Sequence, residues 1–205
     1  MESTPADDRA SARARKTALR DQLLTARRRH PLAVAREDAE AIADHLLSTI
    51  HLRRAATVAA YISVGNEPGT GPLVERLHAL GRRVVLPVLL PDDDLDWAAY
   101  AGPDRLAPAS RGLLEPDGPR LGPEALATAD VVLCPALAVD RAGARLGRGG
   151  GSYDRALGRV PLGTFVCALL YDGEVLDAVP AEPHDRPVTA AATPSGVVML
   201  GPAPG

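Results

Sequence analysis

The chain has 205 residues, 46% of them hydrophobic and 24% charged, with a formal net charge of −3. That length is enough for one buried core, so a single domain over 1–205 is expected, with flexible ends at 1–6 and 202–205. The near-neutral balance provides no global basic field for nucleic acid, and 3% aromatic content leaves few platforms for stacking bases. No apolar run approaches the roughly 20 residues of a membrane span, and charge begins at Glu2, unlike a secretory leader. Cys134 and Cys167 lie in apolar runs without metal-ligand spacing. They read as small buried residues of a cytoplasmic protein. The partner expected is a small molecule, on a monomer or weak homodimer. Among 23 basic residues Lys16 is the only lysine. Either it survives by chance in an arginine-rich chain, or its position needs a compact ammonium, as beside a phosphate.

Asp7 to Arg29 is continuous helix-forming sequence with a thin apolar stripe of Leu19, Leu23 and Leu24, and Pro31 ends it. A second helix fits Val34 to Ile50, with Ile42, Leu46 and Leu47 inward. TVAAYISV (Thr57 to Val64) reads as a buried strand and GNEPGTG as a turn-rich loop. PLVERLHAL from Pro72 is a helix with Gly81 as its stop. RVVLPVLL and LDWAAY are strands, and Ala101 to Gly122 is loop-like with an apolar knot at GLLEP. Pro123 to Ala129 reads as a short helix and Val131 to Val139 as one strand run. The segment RLGRGGGSYDRAL follows, opening a helix that runs to about Gly158, then the strand TFVCALL. PVTAAATP and GVVML make a terminal hairpin or edge pair. Helices alternating with fully apolar strands imply an α/β layered domain with a largely parallel central sheet flanked by helices.

RLGRGGGSYD fails three familiar templates. A P-loop needs Gly-Lys-Ser/Thr, and Ser152 follows Gly151 without a lysine. In G-x-G-x-x-G counted from Gly147, Ser152 occupies the third glycine position. A nucleophile elbow on Ser152 needs glycine where Asp154 stands. The physics still favours an anion. Glycines let backbone N–H groups approach a ligand, a helix N-terminus follows, and Arg145 and Arg148 add charge. Asp154 either stabilises the helix dipole or holds a divalent cation against phosphate oxygens.

Taken with five other ordered landmarks, this segment resembles the signature of the 5-formyltetrahydrofolate cyclo-ligases, R-L-G-x-G-x-G-[YF]-Y-D. The other landmarks are KTALR, YISVGNEPGT, GLLEP, CPALAVDRAGARLG and VPAEPHDRPV, spread over nearly the whole chain. The resemblance implies an α/β architecture of the NagB/RpiA/CoA-transferase-like kind. It also implies ATP- and Mg²⁺-dependent conversion of 5-formyltetrahydrofolate into 5,10-methenyltetrahydrofolate through a phosphorylated formyl group.

Carried over residue by residue, it places Lys16, Arg20, Arg145, Gly147, Arg148, Gly149, Gly150, Gly151, Ser152 and Tyr153 against ATP. Ile62, Glu67, Gly150, Gly151, Ser152 and Tyr153 are placed against the folate. Lys16, Arg145 and Tyr153 are expected to be catalytic, and Asp154 and Asp185 to hold magnesium. His184 is expected to face solvent. Two positions depart from the pattern: Ser152 replaces an aromatic residue and Val139 a phenylalanine, and both are expected to trim aromatic surface near the pocket. A non-catalytic binder on the same scaffold, or a different enzyme of similar architecture, is the competing expectation.

Overall fold

A computed structural model describes residues 5–182 and 185–201, with side chains from residue 13 onward. The expectations for 1–4, 202–205 and His184 lie outside the described residues. Helix α1 (Pro5–Arg27) packs its Leu19, Leu23 and Leu24 stripe against Leu137, Ala138 and Leu146. Helix α2 (Leu32–Ser48) turns Ile42 and Leu46 into the core as expected, but it stops two residues short of Ile50. The stop is chemical: Thr49 is extended, and its hydroxyl accepts the Leu52 N–H, so it caps a new short helix, α3 (Ile50–Arg54).

Strand β1 (Thr57–Ala59) is much shorter than the expected run to Val64. Beyond Ala60 the backbone is satisfied by side chains instead of a ladder. Thr70 accepts the Ser63 N–H at 2.9 Å, and Glu67 accepts the Val64 N–H at 2.9 Å. Helix α4 (Gly71–Ala79) leads to strands β2 (Arg83–Leu89) and β3 (Leu95–Ala99), which pair antiparallel. Residues 101–122, expected to be loop, contain a two-stranded hairpin of β4 (Leu106–Pro108) and β5 (Leu114–Pro116). The apolar run Val131 to Val139 divides into β6 (Val131–Pro135) and β7 (Ala138–Asp140). At the break, two arginine side chains take the carbonyls of Pro135 and Ala136.

Strand β8 (Arg145–Leu146), helix α5 (Ser152–Leu157), and strands β9 (Phe165–Leu169) and β10 (Val175–Leu176) follow. The terminal hairpin is β11 (Ala190–Thr193) with β12 (Gly196–Met199), as expected. The main sheet has the order β12-β11-β9-β6-β1-β2-β3, parallel except at its two edges. A smaller sheet, β10-β7-β8, lies beside α1.

Strand alternation sorts the core into two faces. Val58, Val84 and Leu86 join α2 and α4 on one side. Ala59, Val85 and Val132 join Trp97, Leu126 and α5 residues Ala156 and Leu157 on the other. In the β7–β8 turn, Gly143 has φ +90°, and a Cβ there would lie 2.3 Å from the Val188 carbonyl oxygen. Glycine is therefore required to let β8 reach the segment before β11. Among the described residues no helix is long and apolar enough to cross a membrane.

Candidate active site at the glycine loop

Strand order reverses direction beside β1. From there the chain runs outward to β2 and β3, then returns to the other side as β6, β9 and β11. Ligands of open α/β sheets bind at the carboxyl ends of strands at such a switch point, where connections diverge and leave a crevice. Tyr61 after β1 and Pro135 and Ala136 at the end of β6 line a cavity of about 390 Å³ there. Pro87 and Leu89 of β2, Leu113 and Leu114 of the β4–β5 hairpin, and the glycine loop complete its walls.

The surface of this cavity is mostly apolar, though Glu67, Arg111, Arg145, Arg148 and Asp154 also line it. Ile62 and Glu67 both line it. The Glu67 side chain is only 7% exposed, which excludes an ordinary surface role. Its carboxylate accepts the Val64 N–H and lies 3.3 Å from Arg148 Nε. Burial nevertheless holds its pKa above the ordinary 4.5, against the pull of the Val64 N–H, Arg148 and Arg27. The hydroxyls of Tyr61 and Tyr153 are buried without a hydrogen-bond partner among the described residues. Burial pushes both phenols well above their usual range, so each is a neutral donor and neither is a base. Tyr153 packs against the core as well as lining the cavity.

A second, polar cavity of about 220 Å³ opens on the other side of the same loop. Arg145, Gly147, Gly149, Gly151 and Asp154 line both spaces, while Lys16, Arg20, Glu182 and Asp185 line only the polar one. Lys16 and Arg20, four apart on α1, share a helical face, as their spacing requires. Lys16 is 4% exposed and donates to Asp185 at 2.7 Å and Glu182 at 3.0 Å. Arg145 donates to Asp154 at 2.5 Å and to the Pro135 carbonyl. Arg20 donates to the Gly147 carbonyl at 2.9 Å.

These contacts explain the glycines. A Cβ at Gly147 would meet the pinned Arg145 guanidinium at 2.9 Å, and Gly149 and Gly151 hold φ of +103° and +72°. Among the described residues the N–H groups of Arg148, Gly149, Gly150 and Gly151 donate to no protein acceptor. Four such donors beside paired cations are of the kind that glycine loops offer to an anion. Helix α5 has only six residues, so its dipole adds less than a long helix would.

The two expected metal carboxylates therefore face one cavity, each against a different cation. Among the described residues no group of three or more His, Cys, Asp or Glu is placed to hold a metal. Hard oxygen donors on two carboxylates still match a magnesium ion whose remaining ligands are phosphate oxygens and water. The fit is thus to a metal that arrives with its anion.

Ser152 lines the apolar cavity where the pattern has an aromatic side chain. Val139 is the exception among the expected pocket positions. It is fully buried in the core, paired with Arg145 across β7–β8, and does not line the cavity. Its replacement of phenylalanine is a matter of packing. The cysteines are buried as expected, and burial raises the Cys134 thiol to about 11.

Sequence reasoning missed Glu182, the second partner of Lys16, and Tyr61. It also missed the buried pair of Arg27 and Glu174, two hydrogen bonds at 2.7 Å that tie the end of α1 to the turn after β9. No local signal marks any of these. Glu182 lies 166 residues from Lys16, and Glu174 lies 147 residues from Arg27.

The family model described as the 5-formyltetrahydrofolate cyclo-ligase family matches residues 12–194. The 5-formyltetrahydrofolate cyclo-ligase of Mycolicibacterium smegmatis is 46% identical over 191 residues, 90% of this chain and 97% of the relative. The Escherichia coli K12 protein of the same name is 36% identical over 146 residues, 70% of this chain and 80% of the relative. The solution structure of Aquifex aeolicus 5,10-methenyltetrahydrofolate synthetase superposes with a TM-score of 0.79 at 26% identity, covering 93% of this chain and 95% of that one. A 5,10-methenyltetrahydrofolate synthetase from Mycoplasma pneumoniae shares the fold with a TM-score of 0.70 at 21% identity, over 87% and 98% of the two chains. On its matched length, its fold and its glycine loop, the chain belongs to the 5-formyltetrahydrofolate cyclo-ligase family of enzymes.

Proposed function

We propose that the protein uses MgATP to cyclise 5-formyltetrahydrofolate to 5,10-methenyltetrahydrofolate. The observation that carries this reading is one glycine loop walling two cavities, an apolar one holding Glu67 and a cationic one holding Lys16. A formamide oxygen is a poor leaving group, so ring closure by N10 needs that oxygen activated. In the proposed sequence the formyl oxygen attacks the γ-phosphorus and the bond to ADP breaks. N10 then adds to the formyl carbon, the carbon–oxygen bond breaks with release of phosphate, and N10 gives up its proton.

The apolar cavity takes the folate, with Glu67 accepting from its N–H groups and Ile62, Ser152 and Tyr153 lining it. The polar cavity takes the phosphates through Lys16, Arg20 and Arg145 and the backbone of Gly147, Gly149 and Gly151, which line it, whereas Arg148, Gly150, Ser152 and Tyr153, also expected at ATP, line only the apolar cavity. Magnesium held by Asp154 and Asp185 supplies charge neutralisation at the phosphate oxygens. No nucleophile from the protein is required. Its work is alignment across the loop, worth up to roughly 7–11 kcal/mol for a well-oriented intramolecular attack, and electrostatic stabilisation by fixed donors.

The test is direct. Purified protein mixed with 5-formyltetrahydrofolate and MgATP should give the near-UV absorbance of the methenyl product, and omission of ATP or Mg²⁺ should abolish it. Product formation without ATP, or none with it, would show the reading wrong.

A further inference from the structure

Arg148 is the residue of the glycine loop whose charged side chain pairs with Glu67 and lines the folate cavity but not the polar one. Its Nε lies 3.3 Å from Glu67 Oε1, while its neighbours Gly147 and Gly149 line the phosphate cavity. The two partners differ in freedom. The Arg148 side chain is 48% exposed, whereas Glu67 is buried and fixed by the Val64 N–H. Arginine is long and half-solvated, so it can swing to a second anion. Glu67 cannot follow it. The same loop carries N–H groups that donate to no acceptor among the described residues.

We infer that the Arg148–Glu67 ion pair couples the two cavities, so that nucleotide and folate each strengthen the other's binding. The inference rests on the proposed assignment of ATP to the polar cavity and folate to the apolar one. Without nucleotide, Arg148 occupies the carboxylate that the folate's N–H groups need. Folate must then displace a cation from a buried carboxylate and leave Arg148 to water. When phosphates fill the polar cavity, Arg148 gains a new anion at the loop's edge and releases Glu67. Folate now meets a carboxylate in need of donors, so the ion pair is exchanged and not lost. By linkage the effect is reciprocal: folate, having claimed Glu67, frees Arg148 for phosphate. Coupling of this kind typically amounts to 5–150-fold in affinity. An exposed arginine in a single exchange points to the lower part of that range, about 5–20-fold.

The experiment is calorimetric titration of the whole protein with 5-formyltetrahydrofolate, with and without saturating magnesium and an ATP analogue whose β–γ bridge is an imido group. The analogue prevents turnover, so only binding is read. For the natural chain, folate Kd should fall about 5–20-fold when the analogue is present. For Arg148→Met the ratio should collapse to within about twofold of unity, with folate affinity in the absence of nucleotide undiminished. Glu67→Gln should also lose the ratio, but with weaker folate binding throughout. If both ligands bind the natural chain with a ratio near unity, the coupling is refuted and the functional reading stands. Weaker folate binding by Arg148→Met without nucleotide would mean that Arg148 contacts the folate itself, which also overturns the coupling. Failure of the analogue or the folate to bind the natural chain would refute the functional reading and the coupling with it.

Discussion

The cavity of Glu67 is walled by strand ends, core side chains and the glycine loop, whereas the cavity of Lys16 is walled by α1, β8, the glycine loop with Asp154, and the segment of Glu182 and Asp185. Tyr61, Leu95 and Tyr153 belong to or pack on the two main core clusters, so the shape of the first cavity is set by the same packing that stabilises the sheet. In the second, Lys16, Arg20 and Arg145 are each hydrogen-bonded to a carboxylate or a carbonyl. A ligand entering the first displaces water from apolar walls. An anion entering the second must replace partners already present, so its affinity is a difference between two sets of ion pairs. Exchange of partners governs the second cavity, while in the first a fixed shape surrounds a single exchangeable ion pair, Arg148 with Glu67.

Three substitutions sharpen or break this contrast. The largest effect belongs to Lys16→Ala. It removes the buried ammonium and leaves Asp185 and Glu182 facing the polar cavity without that cation. Loss of one preorganised donor to a developing charge costs about 10²–10³ in turnover. Steady-state kinetics should show a drop of that size, while folate affinity measured without nucleotide stays within about twofold. An equal loss of folate binding would show the two cavities are not separable.

Glu67→Gln tests the other side through pH. Burial raises the folded pKa of Glu67 above 4.5, so between the two values the unfolded state binds fewer protons than the native one. Stability therefore falls as pH rises through that window, and the loss persists at neutral pH. The glutamine variant should melt higher than the natural chain at pH 7, with the difference closing as pH falls below 4.5. A lower melting temperature at pH 7 would mean that the Arg148 and Val64 contacts outweigh the burial cost. The smallest effect is expected from Ser152→Tyr, which restores an aromatic wall to the apolar cavity. An aromatic contact is worth about 0.5–1.5 kcal/mol, so folate KM should fall roughly two- to tenfold with ATP KM unchanged.

Legibility in the sequence followed the range of the interactions. The terminal hairpin, the apolar stripe of α1 and the inward face of α2 are local patterns and appear where the periodicity places them. Strand ends were not readable where long-range side chains take over the backbone, as Thr70 and Glu67 do after β1. The hairpin β4–β5 was hidden because three-residue strands containing Pro108 and Pro116 carry no alternation to detect. At the site, the glycine loop and Lys16 stood out by composition. Glu182 and the Arg27–Glu174 pair depend on contacts 166 and 147 residues apart and left no trace in either segment. Val139 shows the converse limit. Its departure from the family pattern was plain, yet its place in the core rather than the cavity required the β7–β8 pairing.

The solitary lysine has a practical consequence. Apart from the chain's α-amino group, Lys16 is the one amine in the molecule. It is nearly closed to solvent and clasped by two carboxylates. Amine-directed reagents therefore have a single side-chain target, and the rate at which they reach it reports directly on the opening of the polar cavity. An occupant of that cavity slows the labelling, and one confined to the far side of the glycine loop leaves Lys16 as reachable as before. The chain thus carries an intrinsic, one-site chemical reporter of which of its two cavities is filled.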